Sequence, residues 1–357
     1  MQKTSRNNIT SLCNQLNRYL RVASQWLKER LELSPGKSSA TLFTLWTKEI
    51  NYPLEIFIDD TIVPINKNPK ILGLTFDPQL TFNAHTKNIR NKLQAKNNVL
   101  KTLAGTSWGK DKETLIQTYK AIGRPIANYA APIFAPQLCQ TNWQLIQRPQ
   151  NAALRIITGC HKMSHEDHLH QETNILRVKE HTVMLAAQYA YKCHHPLHPN
   201  FELTTLPNPP RNIRKSAIVK YRDCINLLPP PTSTRRLNRG MKVIHTSVVS
   251  ETIDNYQINP ILGCKPPKIS SDEISLPRIT RSKLGQLRSG WCAYLNNYRA
   301  RISDSIPDIC PTCGSSPHDV KHLFNCPQNP TPLTVKDLWS KPKEVSSFLK
   351  IDTEQLN

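Results

Sequence analysis

The chain has 357 residues, and its 47 Lys and Arg against 26 Asp and Glu give a formal net charge of +21. This excess favours a polyanionic partner, and we expect RNA and DNA. No apolar run approaches the length of a membrane-spanning helix, and the N-terminus lacks the apolar segment of a secretory signal. The sequence therefore predicts no membrane partner and an intracellular protein, cytoplasmic or nuclear.

The N-terminal part predicts one helix followed by short strands. Apolar residues three or four apart indicate an amphipathic helix over residues 12–31, which a Ser-Pro-Gly stretch ends. Residues 39–44 predict a short buried strand. Residues 54–65 predict a hairpin, with Asp59 and Asp60 in its two-residue turn.

The following segments are mainly helical. Amphipathic patterns predict four helices, the third with a kink at its proline: residues 83–103, 111–122, 141–158 and 177–193. After these helices, Pro-rich motifs replace periodic apolar residues up to Pro277, so we expect a partly disordered linker. Order is expected to resume near Ser282. Five apolar residues then define one helical face: Leu284, Leu287, Trp291, Leu295 and Tyr298.

Asp59 and Asp60 raise the question of a polymerase site. Together with Phe57 they form an aromatic residue, one spacer and two adjacent aspartates, a pattern typical of the metal-binding turn of a reverse transcriptase. A two-metal site needs a further carboxylate from a separate strand, since its two ions lie about 3.5–4 Å apart. Residues 1–58 contain no aspartate. We therefore interpret the pair as a hairpin turn, where aspartate tolerates left-handed backbone angles, and expect no catalytic residue in this chain.

A cysteine and histidine cluster near the C-terminus is typical of a zinc site. Cys310 and Cys313 are separated by two residues, His322 follows after eight, and Cys326 follows after three more. This spacing permits a tetrahedral site with three thiolates and one imidazole. The ten cysteines are expected to be reduced, and these residues predict a structural zinc ion as the cofactor.

The fourth ligand of this cluster has two candidates. Ser316 can cap a short helix, which would place His322 and Cys326 four residues apart on one face. His318 lies one turn earlier on the same face and is the rival ligand. The alternative to a metal site is three reduced cysteines packed as small hydrophobic residues.

Several motifs along the chain occur together in one family of enzymes. They are, in order, NQLNRYLRVASQWLKERLELSPGKSSATLFT, NPKILGLTFDPQLTFNAH, LAGTSWG, IANYAAPIF and LIQRPQNAALRIITG. Over nearly the whole chain this order resembles the C-terminal half of reverse transcriptases, the RNA-directed DNA polymerases of jockey-like non-LTR retrotransposons. The C-terminal cysteine and histidine module, followed by DLWSKP, also resembles the end of those elements.

The resemblance implies an α+β, mostly α fold with four parts. Residues 1–64 would be the end of the palm, 65–195 the palm–thumb junction and helical thumb, 196–281 a Pro-rich basic linker, and 282–357 a basic helix with a zinc-knuckle-like module. In the family a Tyr-Ala-Asp-Asp turn lies shortly before the helix that corresponds to residues 12–31 of this chain. We therefore expect the fingers, the catalytic palm and the endonuclease domain to be absent, and Mg²⁺ to be needed only where that upstream palm is present.

Nucleic-acid binding has a physical basis in the helix over residues 83–103, where a stripe of cations is accompanied by no acidic residue. Eight cations are expected to contact RNA or a primer-template duplex: Lys87, Arg90, Lys92, Lys96, Lys101, Arg288, Arg299 and Arg301. The preferred hypothesis is a polymerase fragment that lacks the catalytic carboxylates and keeps this binding. Two alternatives stay open: the C-terminal portion of an active reverse transcriptase truncated by the gene model, or a host-adopted nucleic-acid-binding protein.

Overall fold

A computed structural model describes residues 6–28, 31, 33–105, 109–209 and 214–351. Helices dominate these residues, and the strands found among them form two small antiparallel hairpins, in agreement with the predicted α+β, mostly α class. The helices are α1 (Arg6–Leu27), α2 (Asn83–Leu103), α3 (Lys112–Ile122), α4 (Arg124–Asn128), α5 (Ala131–Phe134), α6 (Gln140–Thr158), α7 (Glu166–Thr173), α8 (Val178–Cys193), α9 (Glu202–Thr205), α10 (Ala217–Lys220), α11 (Arg222–Asn226), α12 (Thr234–Asp254), α13 (Arg278–Ser289), α14 (Asn296–Ala300), α15 (Val320–Asn325), α16 (Asp337–Ser340) and α17 (Pro342–Phe348). The strands are β1 (Phe57–Ile58), β2 (Thr61–Ile62), β3 (Lys70–Ile71) and β4 (Leu74–Thr75).

The first hairpin has the turn that the sequence predicts. Strand β1 pairs with β2, and φ angles of 44° at Asp59 and 64° at Asp60 give the left-handed turn between them. The Oδ1 atom of Asp59 accepts a hydrogen bond of 2.7 Å from the hydroxyl of Ser24 on α1. The aspartate pair therefore closes a hairpin and ties it to the first helix.

Two predictions for the N-terminal part need correction. Helix α1 begins earlier than predicted, at Arg6, and ends at Leu27, while residues 29–30 of the predicted helix lie outside the described residues. The buried strand predicted over residues 39–44 is wrong. Ala40 makes a single bridge to the second hairpin arm and no residue of this range is buried, because no strand in the described part of the chain pairs with it.

The four helices predicted in the middle of the chain are confirmed as α2, α3, α6 and α8. The side chain of Asp111 caps α3 by accepting a hydrogen bond of 2.8 Å from the backbone of Thr114. Helix α6 continues through Pro149, whose carbonyl oxygen accepts a hydrogen bond of 2.9 Å from Asn97 on α2. Helices α2 and α6 pack along their length and form the centre of this region. The motif LAGTSWG lies partly outside the described residues.

The Pro-rich segment holds more regular structure than the sequence predicted. Helix α12 packs along α8, where a Cβ atom at Gly240 would lie 2.3 Å from the ring of Tyr191. The hydroxyl of Tyr191 donates a hydrogen bond of 2.8 Å to the carbonyl of Pro229, one of the prolines before the helix. The linker prediction fails at α12, because the Pro-rich motifs on which it rests lie outside residues 234–254, and the helix itself contains no proline.

The C-terminal region has its own hydrophobic core, but not the single helix predicted around Leu284 and Tyr298. Helix α13 ends at Ser289, because the next residue, Gly290, has a φ of 74°, the left-handed conformation that commonly ends helices, and α14 begins only at Asn296. Leu284 and Tyr298 still enter the same core, together with Trp339. Among the described helices, none is long and apolar enough to cross a membrane.

Candidate functional site

The predicted cysteine and histidine ligands come together in space. The ligand atoms of Cys310, Cys313, His322 and Cys326 all lie within 4.8 Å of one another. The Sγ atom of Cys313 lies 3.2 Å from Nε2 of His322, and the two other sulfur atoms lie 4.0 Å apart. Three sulfur atoms and one imidazole nitrogen at this separation can surround one metal ion. The arrangement is the only such group among the residues that the structure describes.

The loop that carries the first two cysteines is a tight turn. The carbonyl oxygen of Cys310 accepts a hydrogen bond of 2.9 Å from the backbone N–H of Gly314. The φ angle of Gly314 is 74°, a left-handed conformation that glycine adopts without strain. Hydrogen bonds from the side chain and backbone of Ser315 lower the pKa of Cys313 to about 6. This shift favours the thiolate, which is the form of cysteine that binds metal.

The helix that carries His322 differs from the prediction. Helix α15 begins at Val320 rather than after Ser316, and its N-cap is Asp319, whose Oδ1 accepts a hydrogen bond of 2.9 Å from the backbone of His322. Asp319 is therefore the N-cap in place of the expected Ser316. His322 lies within α15, and Cys326 directly follows the helix.

The rival ligand His318 has a different role in the structure. Its side chain is buried, and its Nδ1 atom accepts a hydrogen bond of 3.0 Å from the backbone of Asn296. Its ring centroid lies 6.2 Å from that of His322. The geometry therefore favours His322 as the fourth member of the cluster, whereas His318 joins the start of α14 to the segment that follows the two cysteines.

Arg288 does not belong to a nucleic-acid surface, which corrects the prediction. Its side chain is 0% exposed and lies between two buried carboxylates, those of Glu172 and Glu273. Its Nη1 atom lies 3.1 Å from Glu172, and its Nε atom donates a hydrogen bond of 3.0 Å to the carbonyl of Leu338. A guanidinium in this position cannot reach phosphate, because the folded protein already surrounds it.

Two further cations complete this buried ionic network. Lys112 lies 2.8 Å from Glu172, and Arg281 lies 3.6 Å from Glu273. Burial would raise the pKa of Glu172, but Lys112 and Arg288 lower it well below its ordinary value. The network joins helices α3 and α7 to α13, so the C-terminal core is docked on the central helices. The sequence offered no signal for it, since its members lie far apart along the chain.

The cations of α2 are all at least partly exposed, but they do not form one stripe. A helix turns about 100° per residue, so the cations can be placed around the buried face of α2, which contains Leu93. Lys92 and Lys96 lie on one side of that face. Three cations lie on the other side: Lys87, Arg90 and Lys101. Lys92 of the first group lines a cleft of about 420 Å³ together with Lys70, and the described residues that line this cleft include no carboxylate.

The two remaining predicted cations, Arg299 and Arg301, are exposed. Arg301 stacks over the ring of Trp291, with its guanidinium carbon 5.2 Å from the ring centroid. Arg299 lines a groove of about 1030 Å³ that also contains three of the four cluster residues. The described lining of this groove includes no Asp or Glu. The groove therefore offers a positively charged surface beside the metal-binding cluster.

Comparison with curated proteins relates this chain to the RNA-directed DNA polymerases of non-LTR transposons, which confirms the predicted resemblance. It is 28% identical over 156 residues to the probable RNA-directed DNA polymerase from transposon X-element of Drosophila melanogaster, a match that covers 43% of this chain and 17% of that protein. It is 27% identical over 187 residues to the probable RNA-directed DNA polymerase from transposon BS of the same organism, covering 51% of this chain and 20% of that protein. The jockey-like subgroup stays a prediction.

The matched regions thus span a fifth or less of the relatives' own length. No family model matches the chain. No solved structure matches it either.

Proposed function

We propose that the chain is a nucleic-acid-binding part of a non-LTR retrotransposon reverse transcriptase, with the end of the palm in residues 1–64 and the palm–thumb junction and helical thumb in residues 65–195. The observation that carries the proposal is its similarity to two transposon RNA-directed DNA polymerases. The net charge of +21 and the exposed cations of α2 support it, because phosphate contacts supply most of the sequence-independent affinity for nucleic acid. The ligand is an RNA or a primer-template duplex.

The proposed cofactor is a structural zinc ion held by Cys310, Cys313, His322 and Cys326. The donor set fits zinc, since three thiolates and one imidazole are typical of closed tetrahedral sites. Four protein ligands leave no position for a reactive water molecule. The ion would fix the metal-binding turn against α15 and so hold Arg299 at the edge of the charged groove.

We infer that these 357 residues do not extend a primer by themselves. Asp59 and Asp60 form a hairpin turn, and Asp59 is engaged with Ser24 and, at 3.8 Å, with Lys28. No carboxylate group suited to two metal ions was found among the described residues. Mg²⁺ would act only together with the catalytic palm that the family resemblance implies elsewhere in the polymerase.

One experiment tests both parts of the proposal. A labelled DNA primer annealed to an RNA template is mixed with the zinc-loaded chain, first alone and then with nucleotides and Mg²⁺ or Mn²⁺. We expect binding of two unrelated sequences with affinities within about threefold of each other, because phosphate carries no sequence information, and we expect no extension. Absence of binding would contradict the proposed function. Extension that disappears in Asp59→Asn would contradict the inference of an inactive chain.

A further inference from the structure

The segment that the sequence presented as a linker contains a strongly charged surface. Residues 214–250 hold eight cations, namely Arg214, Lys215, Lys220, Arg222, Arg235, Arg236, Arg239 and Lys242, against the single carboxylate of Asp223. The net charge of +7 in this short segment is a third of the excess of the whole chain. This concentration is greater than an even distribution of charge would give.

Helix α12 arranges three of these cations in one line. Its inner face packs on the central helices through Leu237, Met241 and Ile244. At about 100° per residue, Arg235, Arg239 and Lys242 fall within a sector of about 60° on the opposite side. All three are exposed. The contrast with α2, whose cations lie on two sides of the helix, makes α12 the more regular charged surface of the two.

The part of α12 that carries these three cations is closely packed against α8. The close packing of Gly240 on Tyr191 fixes the helix between Arg239 and Lys242. None of the ion pairs found among the described residues involves the three cations. Along the helix axis they lie about 6 Å and about 4.5 Å apart, since each residue advances the helix by 1.5 Å. Consecutive cations at this spacing suit a chain of phosphates.

We propose that Arg235, Arg239 and Lys242 form a second nucleic-acid contact, a basic ridge on α12 that binds the phosphate backbone of the same ligand that α2 contacts. The proposal rests on the proposed function and extends it to a segment that the sequence pattern had excluded. No aromatic side chain lies on the ridge, so it offers phosphate contacts without base stacking. The ridge therefore adds affinity without sequence preference.

The test compares two triple variants of the full zinc-loaded chain with equal changes in net charge. Arg235→Glu, Arg239→Glu and Lys242→Glu reverse the ridge, and a control reverses three exposed cations outside every proposed surface: Lys48, Lys336 and Lys343. Binding of a labelled RNA–DNA duplex is measured over a range of salt concentrations. We expect the ridge variant to lose more than about tenfold in affinity and about 2 to 3 units of salt slope, while the control changes less than about threefold.

Each other result has a definite meaning. Equal affinity of the ridge variant and the wild type would overturn the proposal and leave α12 as a solvated face. Equal losses in both variants would show that net charge alone matters, which also overturns it. Failure of the wild type to bind would contradict the proposed function itself. The same variants are tested on vesicles with and without anionic lipid, and a loss confined to vesicles would assign the ridge to a membrane surface instead. Circular dichroism is used to check that both variants are folded.

Discussion

Arg288 illustrates how the same residue type serves two purposes in a basic protein. Its guanidinium is enclosed by Glu172, Glu273 and the carbonyl of Leu338, so its charge stabilises the fold instead of attracting a ligand. A buried ion pair contributes little net stability compared with apolar packing, but removing one partner leaves a buried charge without compensation. The structural role of Arg288 therefore predicts a large effect on stability and a small effect on binding.

Replacing Arg288 with methionine tests this role. We expect Arg288→Met to lower the free energy of unfolding by about 3–5 kcal/mol, measured by urea denaturation, because two buried carboxylates lose their guanidinium partner. The control is Arg299→Met at an exposed position, which should change stability by less than about 0.5 kcal/mol. Weakened duplex binding in Arg288→Met with unchanged stability would contradict the structural role and support the original prediction that Arg288 contacts nucleic acid.

The ligands of the proposed zinc site can be tested residue by residue. Metal analysis of the full chain should give about one zinc ion per molecule in the wild type and loss of zinc in Cys313→Ser and in His322→Ala. The matched control is His318→Asn, whose side-chain oxygen can still accept the hydrogen bond from Asn296 but whose Nε2 atom is gone. This variant should keep its zinc.

Two outcomes would change the assignment of the site. Zinc retained in His322→Ala and lost in His318→Asn would make His318 the fourth ligand. A wild-type chain that binds no zinc would remove the metal site and leave the cysteines as packing residues. The full chain is the proper sample, because α13 is fixed to the central helices by Arg278, whose Nη2 atom lies 2.9 Å from the carbonyl of Ile156.

At the scale of elements, local patterns predicted local structure well. Helix α2 has the predicted bounds, because its apolar residues repeat regularly and no glycine or proline interrupts them. The grouping of Cys310, Cys313, His322 and Cys326 was also predictable, since cysteine spacing in a turn is a local property. The helical spacing of Arg235, Arg239 and Lys242 is present in the sequence, but the prolines on either side of this segment favoured the interpretation as a linker.

Features that depend on distant parts of the chain were not predictable from spacing. Arg288 meets Glu172 across 116 residues, so its burial depends on how α13 docks and not on its neighbours in sequence. The break at Gly290 was also missed, because the apolar residues on either side continue a helical repeat. A glycine inside such a repeat can end a helix. Here the residues before and after Gly290 pack into one core, although the helix is interrupted between them.

Helix α2 makes a prediction of its own, because its cations lie on two sides. Lys92 lines the cleft that also contains Lys70, and Lys96 lies on the same side of α2, whereas Lys87 and Lys101 lie on the other side. Reversing Lys92 and Lys96 to Glu should therefore weaken duplex binding more than reversing Lys87 and Lys101, with a decrease of about 2 units in the salt slope. The two variants have the same net charge and serve as controls for each other. Equal effects, or a larger effect of the second pair, would contradict a binding surface on the cleft side.

At the scale of the whole molecule, the charge is divided between the interior and the surface. Three cations, Lys112, Arg281 and Arg288, are held by buried carboxylates. Exposed cations lie on α2, on α12 and beside the metal-binding cluster, where acidic residues are scarce. This distribution predicts binding that depends on several phosphates at once and that is shared by RNA and DNA strands of any sequence.

The measurement that tests this account most directly is the salt dependence of binding between the wild-type chain and an RNA–DNA duplex. We predict that the logarithm of the association constant falls linearly with the logarithm of the salt concentration, with a slope steeper than about −3, because several phosphates release counterions. Two unrelated duplex sequences should give the same slope. A slope near zero, or no binding at low salt, would contradict the central claim that this chain is a phosphate-binding part of a transposon polymerase.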